Sequence, residues 1–463
     1  MTIWIPTLDR SKPLYLAIAD AMARDVETGL LARGDRLPPQ RDLAWKLGVT
    51  LGTVTRAYRE AELRGLLSGE VGRGSFVRLE SPVPPLSGLP ADQFEQIDLS
   101  HAIPPPVITP QEFDQALVSV MRDPKKLGLL DYSPPEGFAQ HRAMAVQWLK
   151  RSGIDVDERD VFITAGAQLG LLLALQANAA PGERVMAETI NYALLRSTFK
   201  AANVEPLCLG QDQEGLLPDA LEKAAANGQS RLLYLVPTLQ NPTTHTMSRQ
   251  RRDEIVAIAR KHDVIIIEDD IFRLLDDRVQ PPTFYSLAPE RTVHVTGLSK
   301  TMAPGLRLGL VATPRGHDRL LRSHLRSMSP RSVGLAGEMA RHWISSGKAD
   351  DILARIRLEL ARRRAAFLEV FKDFNLHCAP GAPFAWLELP PDWNGSRFAA
   401  ALRVRRILVT PGSAFDLSGK QQGNQFVRIC FGSPQTHWRP LQSFETILSI
   451  LHAGDDENFA PVA

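Results

Sequence analysis

The stretch Val293-His-Val-Thr-Gly-Leu-Ser-Lys300, followed seven residues later by Arg307, decides how the rest of the chain is read. It is a short apolar strand that breaks at Thr296-Gly297 and presents Ser299 and Lys300 just beyond its end. Desolvation of a lysine at such a break lowers its pKa and makes its amine available for Schiff-base chemistry. Arg307 can hold an anionic group nearby, and Gly305 and Gly309 leave room for backbone to approach. A lysine after a strand is more often a solvated loop residue, so the partners supplied by the rest of the chain decide between the two readings.

From about Ile97 outward, apolar strands alternate with helices. The strands fall at Val161–Thr164, Arg184–Ala187, Glu205–Leu209, Leu232–Val236, Val264–Glu268, Thr292–Thr296 and Leu308–Ala312. Helical patterns at Leu169–Asn178, Leu195–Ala202, Pro218–Ala226 and Ser248–His262 separate most of them. Near-continuous apolar strands alternating with helices predict a largely parallel sheet covered on both faces. Ligands in such sheets sit beyond the carboxyl ends of the strands. Past Ser323 the pattern changes to two long helical stretches, Leu335–Ser345 and Asp350–Phe374. Short strands at Phe384–Leu389, Ile407–Thr410 and Gln425–Phe431 follow, predicting a smaller α+β subdomain.

Four strand ends carry unusual polar residues. Ala165-Gly-Ala-Gln168 opens a helix whose small residues expose backbone N–H groups to an anion such as phosphate. Tyr192, in Glu188-Thr-Ile-Asn-Tyr192, can stack on a flat ligand. Asn241-Pro242 fixes an amide in a rigid loop. Asp269-Asp270 ends a buried strand, where an acid is costly unless it pairs or faces a cationic ligand. A phosphate cradle, a stacking aromatic, an amide, an acid, then Ser-Lys and Arg, in this chain order, are what a pyridoxal phosphate pocket needs. In such a pocket the lysine forms the imine and the acid keeps the ring nitrogen protonated.

Over roughly residues 97–455 the arrangement resembles the fold-type-I aminotransferases related to aspartate aminotransferase. The resemblance implies Lys300 as the Schiff-base lysine, Asp269 as the pyridinium partner and Asn241 as the partner of the ring hydroxyl. It implies Tyr192 stacked on the ring, and Gly166, Ala167, Gln168, Ser299 and Arg307 around the phosphate. Arg428, in Phe426-Val-Arg-Ile429, matches the arginine that binds an α-carboxylate. Tyr132, in Tyr-x-x-Pro-x-Gly137, resembles a tyrosine that reaches the neighbouring subunit's cofactor. Two positions depart from the pattern: Phe272 stands where a tyrosine is usual, and Gly297 where many members carry a serine. Fewer hydrogen bonds to the cofactor lean away from turnover and toward sensing.

The first eighty residues follow a different logic. Leu14, Ile18, Met22 and Val26 mark an amphipathic helix ended by Gly29. Pro39 suits the start of a second helix through Ala44 and Leu47, and Thr50 caps a third. In that third helix Val54, Ala57, Tyr58 and Ala61 face inward, leaving Thr53, Thr55, Arg56 and Arg59 outward. Gly65–Val77 reads as two strands around a glycine turn, a basic-tipped wing. The pattern is a winged helix-turn-helix. Between Arg36 and Arg78 eight cations face four anions, which suits phosphate contacts from Arg36, Thr50, Arg56 and Arg73 and reading of the major groove. The motifs Gly29–Ala44 (Gly-x-Leu-x-x-Gly-Asp-x-Leu-Pro-Pro-x-Arg-x-Leu-Ala) and Gly48–Tyr58 (Gly-Val-Thr-x-x-Thr-Val-x-Arg-Ala-Tyr) resemble the GntR family of bacterial regulators. That resemblance implies Arg41, Thr53 and Thr55 at the DNA surface and Gly72 in the minor groove. Many family members carry a basic residue where Leu51 stands. From Leu79 to Gln96 prolines and polar residues predict an extended linker.

With 463 residues, 44% hydrophobic and 23% charged at a net charge of +2, the composition is that of a folded protein of two or three domains. Met1–Ser11 lacks the regions of a signal peptide and no apolar run reaches membrane-span length, so a cytoplasmic location is expected. Cys208, Cys378 and Cys430 are widely spaced, suggesting neither disulfides nor a metal site.

The predicted organisation is a winged helix-turn-helix (α+β) over residues 1–78 and a linker over 79–96. An α/β pyridoxal-phosphate-dependent transferase fold of type I follows over 97–322, with a small C-terminal α+β subdomain over 323–463. Head, linker and body together resemble the MocR subfamily of transcription regulators. The resemblance implies a homodimer that binds an operator in double-stranded DNA and senses pyridoxal 5′-phosphate, an amine or an amino acid, with no physiological turnover expected. The alternative is a working aminotransferase with an autoregulatory DNA domain.

Overall fold

A computed structural model describes residues 4–8, 12–27, 30–31, 35–63, 66–70, 74–77, 97–328, 333–432 and 440–453. The linker expected at 79–96 lies outside the described residues. The chain divides into two compact units, residues 1–95 with 396–404, and 96–395 with 405–463.

In the N-terminal unit helices span Leu14–Glu27, Gln40–Leu47 and Leu51–Leu63. Pro39 is the cap of the second helix and not its first residue; Gly48, at φ +65°, ends that helix. A positive φ strains any residue with a Cβ, which is why glycine stands there. Thr50 Oγ1 accepts from Thr53 N (3.2 Å) and so satisfies one open donor of the third helix. Val54, Ala57, Tyr58 and Ala61 are buried, together with Ile18, Met22 and Leu43, in one core. Tyr58, buried in that core, donates its hydroxyl to Pro38 O (2.6 Å). Strands Leu67–Glu70 and Gly74–Val77 pair antiparallel, and Arg36 bridges to Phe76, so the wing is tied to the residues preceding the second helix.

The larger unit is built on a seven-stranded sheet. Its strands in chain order are β1 (Val161–Thr164), β2 (Arg184–Glu188), β3 (Glu205–Leu209), β4 (Leu232–Leu235), β5 (Ile265–Asp269), β6 (Thr292–Gly297) and β7 (Gly309–Ala312). Their spatial order is β1-β7-β6-β5-β4-β2-β3, with β7 antiparallel to both neighbours and all other pairs parallel. Strands β1, β4, β6 and β7 are buried along their whole length, as expected for a sheet covered by helices on both faces. Two apolar clusters result. One includes Phe162, Leu173, Phe199, Tyr234, Val293 and Val311; the other includes Leu233, Ile255, Ile266 and Phe284.

A second sheet joins Leu376–His377, Phe384–Glu388, Phe426–Cys430 and Thr410–Pro411. Ile97–Asp98 pairs in parallel with Ile407–Leu408, bringing the first described residues of this unit beside its C-terminal part. Long helices at Gly334–Ser345 and Lys348–Val370 precede the second sheet in sequence. Among the described residues no helix is long and apolar enough to cross a membrane.

Candidate functional site

Because β1, β2, β4, β5 and β6 run parallel, their carboxyl ends emerge on one edge of the sheet, and the polar residues predicted from sequence collect there. Alternation along β5 separates the two adjacent acids. Asp269 shares a face with Ile267 and Tyr234, whereas Glu268 and Asp270 point to the other face.

Asp269 is buried and accepts a hydrogen bond from the Tyr234 hydroxyl (2.9 Å). Its Oδ1 makes no well-formed hydrogen bond, although the Ile271 backbone N–H is close enough to favour the ionised carboxyl. Burial, reinforced by the charge of Asp270, pushes the carboxyl up to about 6 despite the tyrosine. Lys300, just past the end of β6, is half-buried and donates to Ala102 O (2.5 Å). Desolvation, with Arg428 and Arg307 nearby, holds its amine down to about 8. Both groups are therefore displaced toward their uncharged forms, a pattern typical of functional sites.

Tyr192 packs beside this core; its hydroxyl donates to Gln168 Oε1 (3.3 Å), and burial followed by the charge of Asp269 pushes it up to about 12. Gln168 in turn donates to Thr198 Oγ1 (2.5 Å). The helix Ala167–Asn178 starts at Gly166, whose φ is +96°. A Cβ on Gly166 would lie 3.0 Å from the Arg307 guanidinium, so that cation rests on bare backbone at the helix start. Arg307 itself ends a 3-10 turn at φ +49° and is exposed. Ser299 is half-buried between Gly297 and Lys300.

Gly297 has no room for the serine that the fold-type-I resemblance leads one to expect, since a Cβ there would fall 2.8 Å from Leu308 O. Across the same joint Gly309 lies opposite both Gly297 and Thr164, and a Cβ on it would overlap Thr164 Oγ1 and the Gly166 backbone. The departure at Gly297 is thus matched to close packing of β6, β7 and the β1 loop. Phe272 is buried edge-on against Phe384 (centroids 5.4 Å apart), and its ring lies 6.0 Å from Lys300 Nζ.

Asn241 and Arg428, distant in sequence, are joined. Arg428 donates through NH1 to Asn241 Oδ1 (2.7 Å) and through NH2 to Ser100 O (2.5 Å). Its guanidinium lies over Phe415 (4.8 Å) and Phe384 (5.5 Å). Tyr132 is 86% exposed in the single chain.

Behind the site, Glu268 accepts from Phe284 N (2.7 Å) and Tyr285 N (3.1 Å) and lies 2.9 Å from His294 Nδ1. Glu268, Asp270 and His294 come close together, but Arg252 (3.8 Å from Glu268) and Arg273 (3.6 Å from Asp270) supply the countercharge. The group is a buried ion-pair cluster.

Sequence reading missed Tyr234, Ser100, Ala102, Phe384 and Phe415. Tyr234 stands in an apolar strand and reads as core. Ser100 and Ala102 act through backbone carbonyls, which leave no signal in side-chain chemistry.

In the N-terminal unit Arg36, Arg41, Thr50, Thr55 and Arg56 are exposed and Thr53 is half-exposed. Thr50 and Thr53 share a hydroxyl contact (2.9 Å), Thr55 donates to Gln40 Oε1 (2.8 Å), and the Arg56 guanidinium lies 4.0 Å over the Tyr15 ring. Gly72 and Arg73 lie outside the described residues.

Comparison with known proteins places both parts. Residues 111–441 match the family described as aminotransferase class I and II, and residues 14–77 match the bacterial regulatory proteins of the gntR family. The HTH-type transcriptional regulator YdeF of Bacillus subtilis is 28% identical over 97% of this chain and 96% of its own. The vitamin B6 salvage pathway transcriptional repressor PtsJ of Salmonella typhimurium is 28% identical over 88% of this chain and 92% of its own. Among solved structures, an archaeal alanine:glyoxylate aminotransferase superposes with a TM-score of 0.71 at 22% identity, covering 77% of this chain and 91% of that one. Together with the winged helix-turn-helix and the seven-stranded sheet, these matches show that the chain belongs to the aminotransferase class I and II family and joins that body to a gntR-family head, the architecture of the MocR subfamily of transcription regulators.

Proposed function

We propose that this regulator binds pyridoxal 5′-phosphate through a Lys300 Schiff base and uses the site to sense the cofactor itself or an amine or amino acid. The observation that carries the reading is the pairing, in one desolvated pocket, of a depressed lysine with a raised, half-satisfied Asp269. The Asp269 Oδ1 is an acceptor waiting for a buried N–H donor, and a protonated pyridine nitrogen is such a donor. When bound, the cofactor supplies an electrophilic aldehyde and an electron-withdrawing ring.

The chain's own residues supply the rest. Asp269, once ionised beside a cationic ring, holds that ring's proton. Gly166, Ala167 and Gln168 at a helix start, with Ser299 and Arg307, offer backbone N–H, hydroxyl and guanidinium donors to a phosphate. Tyr192 offers a ring face, and Arg428 offers its guanidinium to a carboxylate. The vitamin B6 link in the name of PtsJ supports the same reading.

Arg36, Arg41, Thr50, Thr53, Thr55 and Arg56 would meet an operator in double-stranded DNA. Gly72 and Arg73 in the wing are assigned the same role. A homodimer would present two such heads, and it would bring Tyr132 toward the partner's site.

A working aminotransferase is the second reading, favoured by the intact Arg428–Asn241 pair. Phe272 weighs against it, because it brings no hydroxyl to the ring and is committed to packing on Phe384. The test is a Lys300→Ala variant of the full chain. The wild type should show visible absorbance with pyridoxal phosphate and change its operator affinity when cofactor and amine are added. The variant should lose both; operator binding still regulated normally in it would refute the sensing role.

A further inference from the structure

Two of the three ligand-holding cations of the site, Lys300 and Arg428, are engaged by one short segment. Lys300 donates to Ala102 O and Arg428 to Ser100 O, each at 2.5 Å. Thr410 Oγ1 also donates to Ser100 O (3.1 Å). The segment is pinned on either side: Leu99 N donates to Leu408 O (2.8 Å) and Cys430 N to Leu99 O (2.7 Å), while a Cβ on Gly432 would overlap Ile103 O. Between the pins, Asp98 shapes the turn by accepting from Ser100 N (2.8 Å) and Ser100 Oγ (2.6 Å) and by pairing with His101 Nδ1 (2.7 Å). Upstream, Ile97–Asp98 leads in sequence directly to residues 79–96, which join this body to the DNA-reading domain.

We propose that Leu99–Ile103 is a strap that reports the state of the site, held by Lys300 and Arg428 when they carry no ligand and loosened at each contact as that residue is taken. The inference rests on the reading of Lys300 as the Schiff-base lysine. When Lys300 condenses with an aldehyde, Nζ forms a C=N bond to the aldehyde carbon and the aldehyde oxygen leaves as water. The amine N–H that served Ala102 O is then redirected. A carboxylate binds Arg428 through two parallel N–H donors, and where it takes the NH2 hydrogen that serves Ser100 O that contact is given up. Exchange favours the ligand, because a charge-assisted bond to carboxylate is stronger than one to a neutral carbonyl. Ser100 O keeps Thr410 as donor, which lowers the cost of release. The pins confine the change to Ser100–Ala102, the turn next to the strand that leads to the head.

Hydrogen–deuterium exchange of the full chain, read on peptides covering residues 97–104, tests this, with visible absorbance recorded on the same samples. Pyridoxal phosphate should speed strap exchange several-fold. A panel of L-amino acids should contain members that speed it further, while their decarboxylated amines do not. Unchanged or slower strap exchange in samples whose absorbance shows bound cofactor would overturn the strap and leave the cofactor reading intact. Absence of the absorbance would overturn both. An Asp98→Ala variant should exchange rapidly at the strap without ligand and bind the cofactor at least threefold tighter; weaker binding would contradict an opposing contact.

Discussion

At the scale of single residues, Lys300 and Asp269 owe their chemistry to where the fold puts them. A free carboxyl titrates near about 3.9, and burial moves Asp269 up to about 6. Its folded form therefore binds a proton more readily than the unfolded chain does. The penalty is absent below the unfolded value and grows as pH rises from about 4 through about 6. An Asp269→Asn variant, measured without cofactor by urea unfolding, should gain on the order of 2 kcal/mol at pH 7.5 and nothing at pH 4. Equal gains at both pH values would show that the wild-type carboxyl is not strained. For Lys300 the direction reverses, since an amine lowered to about 8 costs stability at pH values below that point and not at high pH. The chain order of the site residues and the resemblance to fold-type-I aminotransferases pointed to both groups. Tyr234, which moderates Asp269, was hidden because a tyrosine inside an apolar strand carries no mark of its partner.

At the scale of elements, the strand–loop joints decide what the site can be. Chain order and apolar length located all seven strands to within one or two residues. Neither could show that β7 runs antiparallel and brings Gly309 against Gly297 and Thr164. That joint accounts for glycine at 297 in place of the serine expected from the resemblance. Gly297→Ser should cost about 1–3 kcal/mol, because its Cβ must push Leu308 O away. Thermal unfolding with and without the cofactor checks this. A variant as stable as wild type that also bound cofactor more tightly would mean that the joint yields and the missing hydroxyl was the only difference. The head behaves more simply. Its caps, turn and inward stripe are local features, so Thr50, Gly48 and Val54–Ala61 were legible directly from spacing.

At the scale of the whole molecule, one group of exposed apolar side chains bears on association. Phe113, Met121, Leu127, Leu130, Tyr132 and Leu335 are exposed apolar or aromatic side chains. Beside them is an apolar cavity of about 790 Å³ lined in part by Ile108, Phe113, Leu335, Met339 and Trp343. Exposed apolar area of this kind suits an association surface, and on the homodimer reading proposed above a second copy of this chain would cover it and bury Tyr132. Light scattering should give the mass of a dimer, and Met121→Glu should shift it toward monomer with reduced cofactor affinity. A dimer indifferent to that charge would place the interface elsewhere.

The amino-acid sequence by itself determined the order of domains, the strand and helix alternation, and the residue types of the site, because these follow from local periodicity and from side-chain chemistry. Only the tertiary structure decided that Asp269 faces the site while Asp270 turns away, that Arg428 is joined to Asn241, and that two backbone carbonyls at residues 100 and 102 hold Lys300 and Arg428. Those contacts span between 187 and 328 positions of sequence and act partly through backbone groups that every residue shares. No local pattern encodes them.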